Sequence, residues 1–115
     1  MLLLDKAVEI NENNANLFFN RGIIKAYLEL YEEAVDDFSK AIEKAEDNVP
    51  KYFFHRGIVS SILHNFEDAV GDFSIALNIK NDYCEAFLER GKCFFTAGDA
   101  EQAYEDFLQY MLLKP

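Results

Sequence analysis

An all-α chain built as a row of stacked helix pairs is what this sequence predicts, and three observations carry that expectation. Three Arg-Gly pairs, Arg21-Gly22, Arg56-Gly57 and Arg90-Gly91, stand 35 and 34 residues apart. Alanine and phenylalanine columns run in step with them. Only five glycines and two prolines interrupt 115 residues, which favours helices over a many-stranded sheet.

The columns extend on both sides of each pair. An aromatic precedes each arginine by three residues: Phe18, Phe53, Phe87. Twelve residues after each glycine comes an alanine: Ala34, Ala69, Ala103. Four residues later comes a phenylalanine: Phe38, Phe73, Phe107. Ala41 and Ala76 follow three residues on, and Tyr110 breaks that column. The pattern resembles the tetratricopeptide repeat, in which a large aromatic, Leu-Gly, Ala-x3-Phe and a final Pro recur over about 34 residues. Here Phe stands for Trp, Arg stands for Leu in all three repeats, and the terminal proline survives only as Pro115. The resemblance spans Ala15 to Pro115 and implies a right-handed α-solenoid of about three and a half repeats.

Each repeat is expected to be two antiparallel helices. The first helices are placed at 15–28, 50–63 and 83–96, the second at 32–45, 67–79 and 100–112. Lys6-Ala7-Val8-Glu9 reads like Lys40-Ala41-Ile42-Glu43, so residues 2–11 are taken as the second helix of a preceding, incomplete repeat. The divisions are then 1–14, 15–49, 50–83 and 84–115. Pro50 suits the first turn of a helix, and Gly98-Asp99 offers a left-handed stop followed by a cap.

Gly22, Gly57 and Gly91 fall inside helices, where glycine costs about 1 kcal/mol against alanine. Close approach of the partner helix is the expected compensation, with Ala34, Ala69 and Ala103 facing the glycines. Phe38, Phe73 and Phe107 are then expected to fill the space between a repeat and its neighbour. Sixteen residues after each arginine lies an aspartate, and Arg21–Asp37, Arg56–Asp72 and Arg90–Asp106 are proposed as ion pairs within their repeats. A partly buried guanidinium needs such a partner. The other reading is three exposed arginines beside an acidic helix face.

The resemblance implies a concave wall made by the first helices, where the family holds peptides or helices. Mapped residue by residue, its partner-binding candidates are Phe19, Asn20, Ile23 and Tyr27 in the first repeat. In the second they are Lys51, Phe54, His55, Ile58 and Ile62, and in the third Leu88 and Lys92. Phe19, Ile23, Tyr27, Phe54, Ile58 and Ile62 are expected to form one apolar stripe, a feature that marks interfaces. The expected partner is a peptide or helix of another protein. A family subgroup clamps the carboxylate tails of Hsp70 and Hsp90. Phe19 and Ile23 occupy its first Lys and Asn positions here, Glu85 and Glu89 its last Lys and Arg positions, and only a shifted register through Asn20, Lys51 and His55 resembles it.

Composition narrows the rest. A net charge of -10, from 21 acids and 11 bases, repels phosphate backbones, so no nucleic acid is expected as partner. No apolar run reaches the ~18 residues of a membrane span, and Asp5 and Lys6 end the short apolar start, so neither membrane nor signal peptide is expected. Cys84 and Cys93 are nine residues apart on one expected helix, too far to bridge, which suits reduced thiols in an intracellular, cytoplasmic protein. Cys84 opens a helix, where the dipole can lower a thiol pKa, but no catalytic partner is evident and no reactive role is expected. His55 and His64 belong to no metal or catalytic motif, and no phosphate loop occurs, so no cofactor, metal or enzymatic activity is expected. The expected function is a scaffold or adaptor module. Self-association through uncapped ends of a longer array is the alternative, suggested by Tyr110, Met111 and Leu113.

Overall fold

The structure, a computed structural model, describes residues 1–114; the terminal Pro115 of the repeat signature lies outside them. Among the described residues there are seven α-helices and no strand. They are α1 (Leu2–Ile10), α2 (Ala15–Tyr27), α3 (Tyr31–Lys44), α4 (Pro50–Ile62), α5 (Phe66–Ile79), α6 (Cys84–Thr96) and α7 (Ala100–Leu113). Helices α2/α3, α4/α5 and α6/α7 form the tightest pairs, and α3/α4 and α5/α6 join one pair to the next. The result is an α-solenoid 47 Å long and 26 by 23 Å across. Helix ends differ from the sequence expectation by one or two residues, as fraying termini do.

Three equivalent turns fold each pair back on itself. Glu29, His64 and Gly98 take positive φ of 62°, 64° and 90°. The next N–H in each case reaches back across the turn: Leu30 to the Lys25 carbonyl, Asn65 to Ser60 and Asp99 to Phe94, at 2.9, 2.8 and 2.8 Å. This is a Schellman closure, which satisfies carbonyls that the helix end leaves open. Only the third turn uses glycine. The side chains of Asn14 and Asp99 accept from the N–H of Leu17 and Gln102 and cap α2 and α7.

The core repeats with the sequence. Ala34, Phe38 and Ala41 have no accessible surface, nor have Ala69, Phe73 and Ala76. A Cβ placed on Gly22, Gly57 or Gly91 would come within 2.7, 2.8 and 2.7 Å of the rings of Phe38, Phe73 and Phe107. This corrects the expectation that the alanines oppose the glycines. The alanines are buried, but the ring four residues later fills the space that a side chain would need. Phe38 also reaches the neighbouring repeat, with its ring 6.3 Å from His55. Phe107, at the end of the row, is only half-buried.

A ladder of arginines links the pairs. Arg21 donates from Nε and Nη2 to the two carboxylate oxygens of Asp37, at 2.8 and 2.7 Å. Arg56 does the same to Asp72, and Arg90 to Asp106, all at 2.8 Å. Each guanidinium also lies over the aromatic three residues before it, Phe18, Phe53 or Phe87, at 5.6, 5.8 and 5.7 Å. The remaining nitrogen, Nη1, crosses to the preceding repeat. It meets Asp5 Oδ1 at 3.3 Å, Ser39 Oγ at 3.1 Å and Ser74 Oγ at 3.0 Å in turn. Such forked, charge-assisted bonds fix geometry as well as adding energy.

Candidate protein-binding groove

An open apolar groove of about 300 Å³ lies between the first two repeats. Ile23, Ala26 and Tyr27 of α2 form one wall, and His55, Ile58, Val59 and Ile62 of α4 form the other, with Tyr31 and Phe38 of α3 between them. Spacings of three and four residues put each set on one helix face. Tyr27 is 85% exposed and Ile62 46%, so this wall still presents apolar surface to solvent.

The groove gathers five of the sequence-derived candidates: Ile23, Tyr27, His55, Ile58 and Ile62. The others lie elsewhere. Phe19 is only 7% exposed, closed in by Phe38 at 5.6 Å and Tyr52 at 4.8 Å between ring centres. It is a core residue and cannot form part of a binding stripe. Phe54 is half-buried, stacked on Tyr83 at 4.9 Å and packed toward Phe73 at 5.7 Å. Asn20 and Lys51 are exposed beyond the groove lining, with the Lys51 ammonium 5.1 Å from the Phe19 ring centre. Leu88 is half-buried on α6, and Lys92 pairs with Glu89 at 2.9 Å. The expected continuous stripe is therefore a single pocket. Its counterpart one repeat further has Ile58, Ile62 and Phe66 on one side, but Glu89, Lys92 and Thr96 where His55, Ile58 and Ile62 stand in the first.

Sequence reasoning missed Tyr31, which opens α3 and reaches the groove from the partner helix of the pair. A wider depression of about 780 Å³ opens between the inter-repeat loops 11–14 and 45–49. Asn11, Glu12, Asn13, Lys44, Glu46 and Asp47 make its lining mainly polar, with Ile10, Val49 and Tyr52 among them.

His55 is the polar feature of the groove. Its ring sits edge-on to Phe19 and Phe54, at 5.4 and 5.3 Å. Burial pushes its pKa down, and the nearby Lys51 charge adds to the effect. At neutral pH the imidazole is uncharged. Tyr83, beneath Phe54, is pushed up to about 12 by burial and by Glu85, so its phenol stays neutral. Burial raises the pKa of both cysteine thiols, Glu85 adding to it at Cys84 and Glu89 at Cys93. Cys84 opens α6, yet its thiol shows no lowered pKa. Among the described residues no group of three potential metal ligands comes together, and no helix is long and apolar enough to cross a membrane.

No family model matches the sequence, and no curated protein sequence matches it significantly. Solved structures do match in fold. MamA superposes with a TM-score of 0.92 at 16% identity, over 97% of this chain and 65% of that one. The first TPR of Spaghetti (RPAP3), bound to HSP90 peptide SRMEEVD, gives 0.84 at 24% identity, over 89% and 80%. YrrB, a TPR protein with an unusual peptide-binding site, gives 0.84 at 26% identity, over 97% and 57%. The chain thus spans less than two thirds of MamA and of YrrB. The fold is that of tetratricopeptide-repeat proteins, a class of helical-repeat solenoids. Some of the structures that share it hold peptides.

Proposed function

We propose that the chain is a non-catalytic protein-binding module that holds a hydrophobic anchor of a partner's helix or extended segment in the groove between α2 and α4. The observation that carries this reading is the solvent-facing apolar wall of Ile23, Tyr27, Ile58 and Ile62, on a chain of net charge -10. The peptide-bound Spaghetti domain and the peptide-binding YrrB support the same class of activity. An intracellular setting, in which both free cysteines stay reduced, belongs to the reading.

A chaperone-tail clamp is less well supported. His55 stands where a second permanent cation would be needed, and its environment keeps it neutral. Self-association has one specific observation in its favour: Tyr104, Met111 and Leu112 of α7 are each about 70% exposed. The two readings separate experimentally. Tyr27→Glu and Ile62→Glu alter exposed positions and should leave helicity and melting unchanged while abolishing partner capture. Met111→Glu should leave capture intact. Capture that survives both groove changes sinks the proposal. A concentration-dependent mass lost only in Met111→Glu supports the second reading.

A further inference from the structure

A second cleft, of about 410 Å³, opens among α3, α4 and α5 and shares no residue with the groove. Its origin is clearest when the three repeats are compared at one position, four residues after each ladder arginine. In the first repeat that residue is Lys25, only 13% exposed, with Nζ 3.1 Å from Asp37 Oδ2 and 3.7 Å from Glu33 Oε1. The ammonium therefore sits between the ladder aspartate and the acid four residues before it. In the third repeat the lysine and the acid four residues before the aspartate are gone together, replaced by Phe94 and Gln102, while Asp106 stays. In the second repeat the two acids remain, as Asp72 and Asp68, but the lysine is Ser60.

Ser60 is 5% exposed and lines the cleft, with a short side chain where the first repeat carries the long Lys25 stem. Among the described residues Asp72 takes both nitrogens of the Arg56 fork, yet receives no second cation of the kind that Lys25 gives Asp37. Gly71, in the middle of α5, also lines the cleft, and a Cβ there would meet nothing within 4 Å. Glycine is unfavourable inside a helix, and no close approach of a neighbour offsets that cost at Gly71. Val35 and Ile75 give the cleft apolar walls along which an alkyl stem can lie.

We propose that this cleft receives a lysine side chain of a partner protein, its ammonium placed between Asp72 and Asp68 as that of Lys25 is placed between Asp37 and Glu33. The chain's charge of -10 steers a basic partner face toward it. This surface is separate from the apolar groove and does not depend on the groove reading.

Amide NMR with blocked lysine (N-acetyl-lysine N-methylamide) at millimolar concentration tests it, with the norleucine counterpart as control. Shifts concentrated at Ser60, Gly71 and Asp72, absent with norleucine, are expected. Ser60→Lys supplies the ammonium from the chain itself, and should lose the response and melt higher than the wild type. Asp68→Asn, at an exposed position, should lose at least half of the response and keeps the test decisive if Ser60→Lys folds poorly. Shifts spread evenly over the acidic surface, a full response in either variant, or an equal response to norleucine would overturn the proposal.

Discussion

Arg56 Nη1 donates a hydrogen bond to Ser39 Oγ at 3.1 Å and so joins the second helix of one repeat to the first helix of the next. The same guanidinium holds Asp72 of its own repeat in a two-bonded fork. One side chain thus closes a helix pair and docks it on its neighbour. Ser39→Ala should cost about 1 kcal/mol. Arg56→Leu should cost about 3 kcal/mol, because it strands a buried carboxylate. Adding Asp72→Leu should recover most of that loss. Urea denaturation of the cycle decides the matter: an Arg56→Leu loss no larger than that of a surface substitution would contradict the assignment.

The glycines of this chain make a graded test of packing. Gly57→Ala drives a Cβ into the ring of Phe73, which is fully buried and cannot yield. It should lose about 2 kcal/mol after the gain in helix propensity is counted. Gly91→Ala meets the half-buried Phe107 and should lose less. Gly71→Ala meets open space and should gain about 1 kcal/mol. Melting temperatures in any other order would refute the close-approach account.

Two of the three turns carry avoidable backbone strain. Glu29 and His64 hold positive φ where the third repeat uses Gly98. Glu29→Gly and His64→Gly should each stabilise by about 1 kcal/mol, since glycine enters the left-handed region freely. No gain in either variant would show that the side chain contributes a compensating contact.

Acid should weaken the fold in two separate windows. His55 is held below its usual pKa by burial and by Lys51, so its neutral form belongs to the folded state. Its contribution is complete above the unfolded value of about 6.5 and is lost as pH falls through the folded one. His55→Phe should remove that step. Burial alone would raise Asp37, but hydrogen bonds from Arg21 and Lys25 outweigh it and keep the carboxyl below its usual pKa. Its contribution is complete above about pH 4 and disappears below that as the carboxyl protonates. Stability measured from pH 8 to pH 3 should show both steps in the wild type and only the lower one in His55→Phe. An unchanged upper step in that variant would exclude the histidine.

What the sequence showed, and what it hid, follows from the periodicity. Columns that serve every repeat alike, such as Arg56 with Asp72 or Gly57 with Phe73, stand out because three copies keep them. Phe19 misleads because its burial depends on Tyr52 of the next repeat, and Tyr52 belongs to no shared column. Phe54 is covered in the same way by Tyr83. The turn at Gly98 is legible, whereas Glu29 and His64 carry no residue signal for the backbone they adopt. The Lys25, Ser60 and Phe94 position was readable in principle. Its lysine and the acid at Glu33 are lost together in the third repeat, as Phe94 and Gln102, while the second keeps the acid as Asp68, and only the geometry shows that Lys25 and Glu33 meet.

The account rests most heavily on which face grips a partner. A photo-crosslinking amino acid at Ile62, compared with one at the exposed Glu43 of α3, tests this in extracts of the cells that make the protein. A discrete adduct from position 62, lost when Tyr27→Glu is added, is the expected result. Equal adducts from both positions, or an adduct from position 43 alone, would contradict the groove as the binding surface.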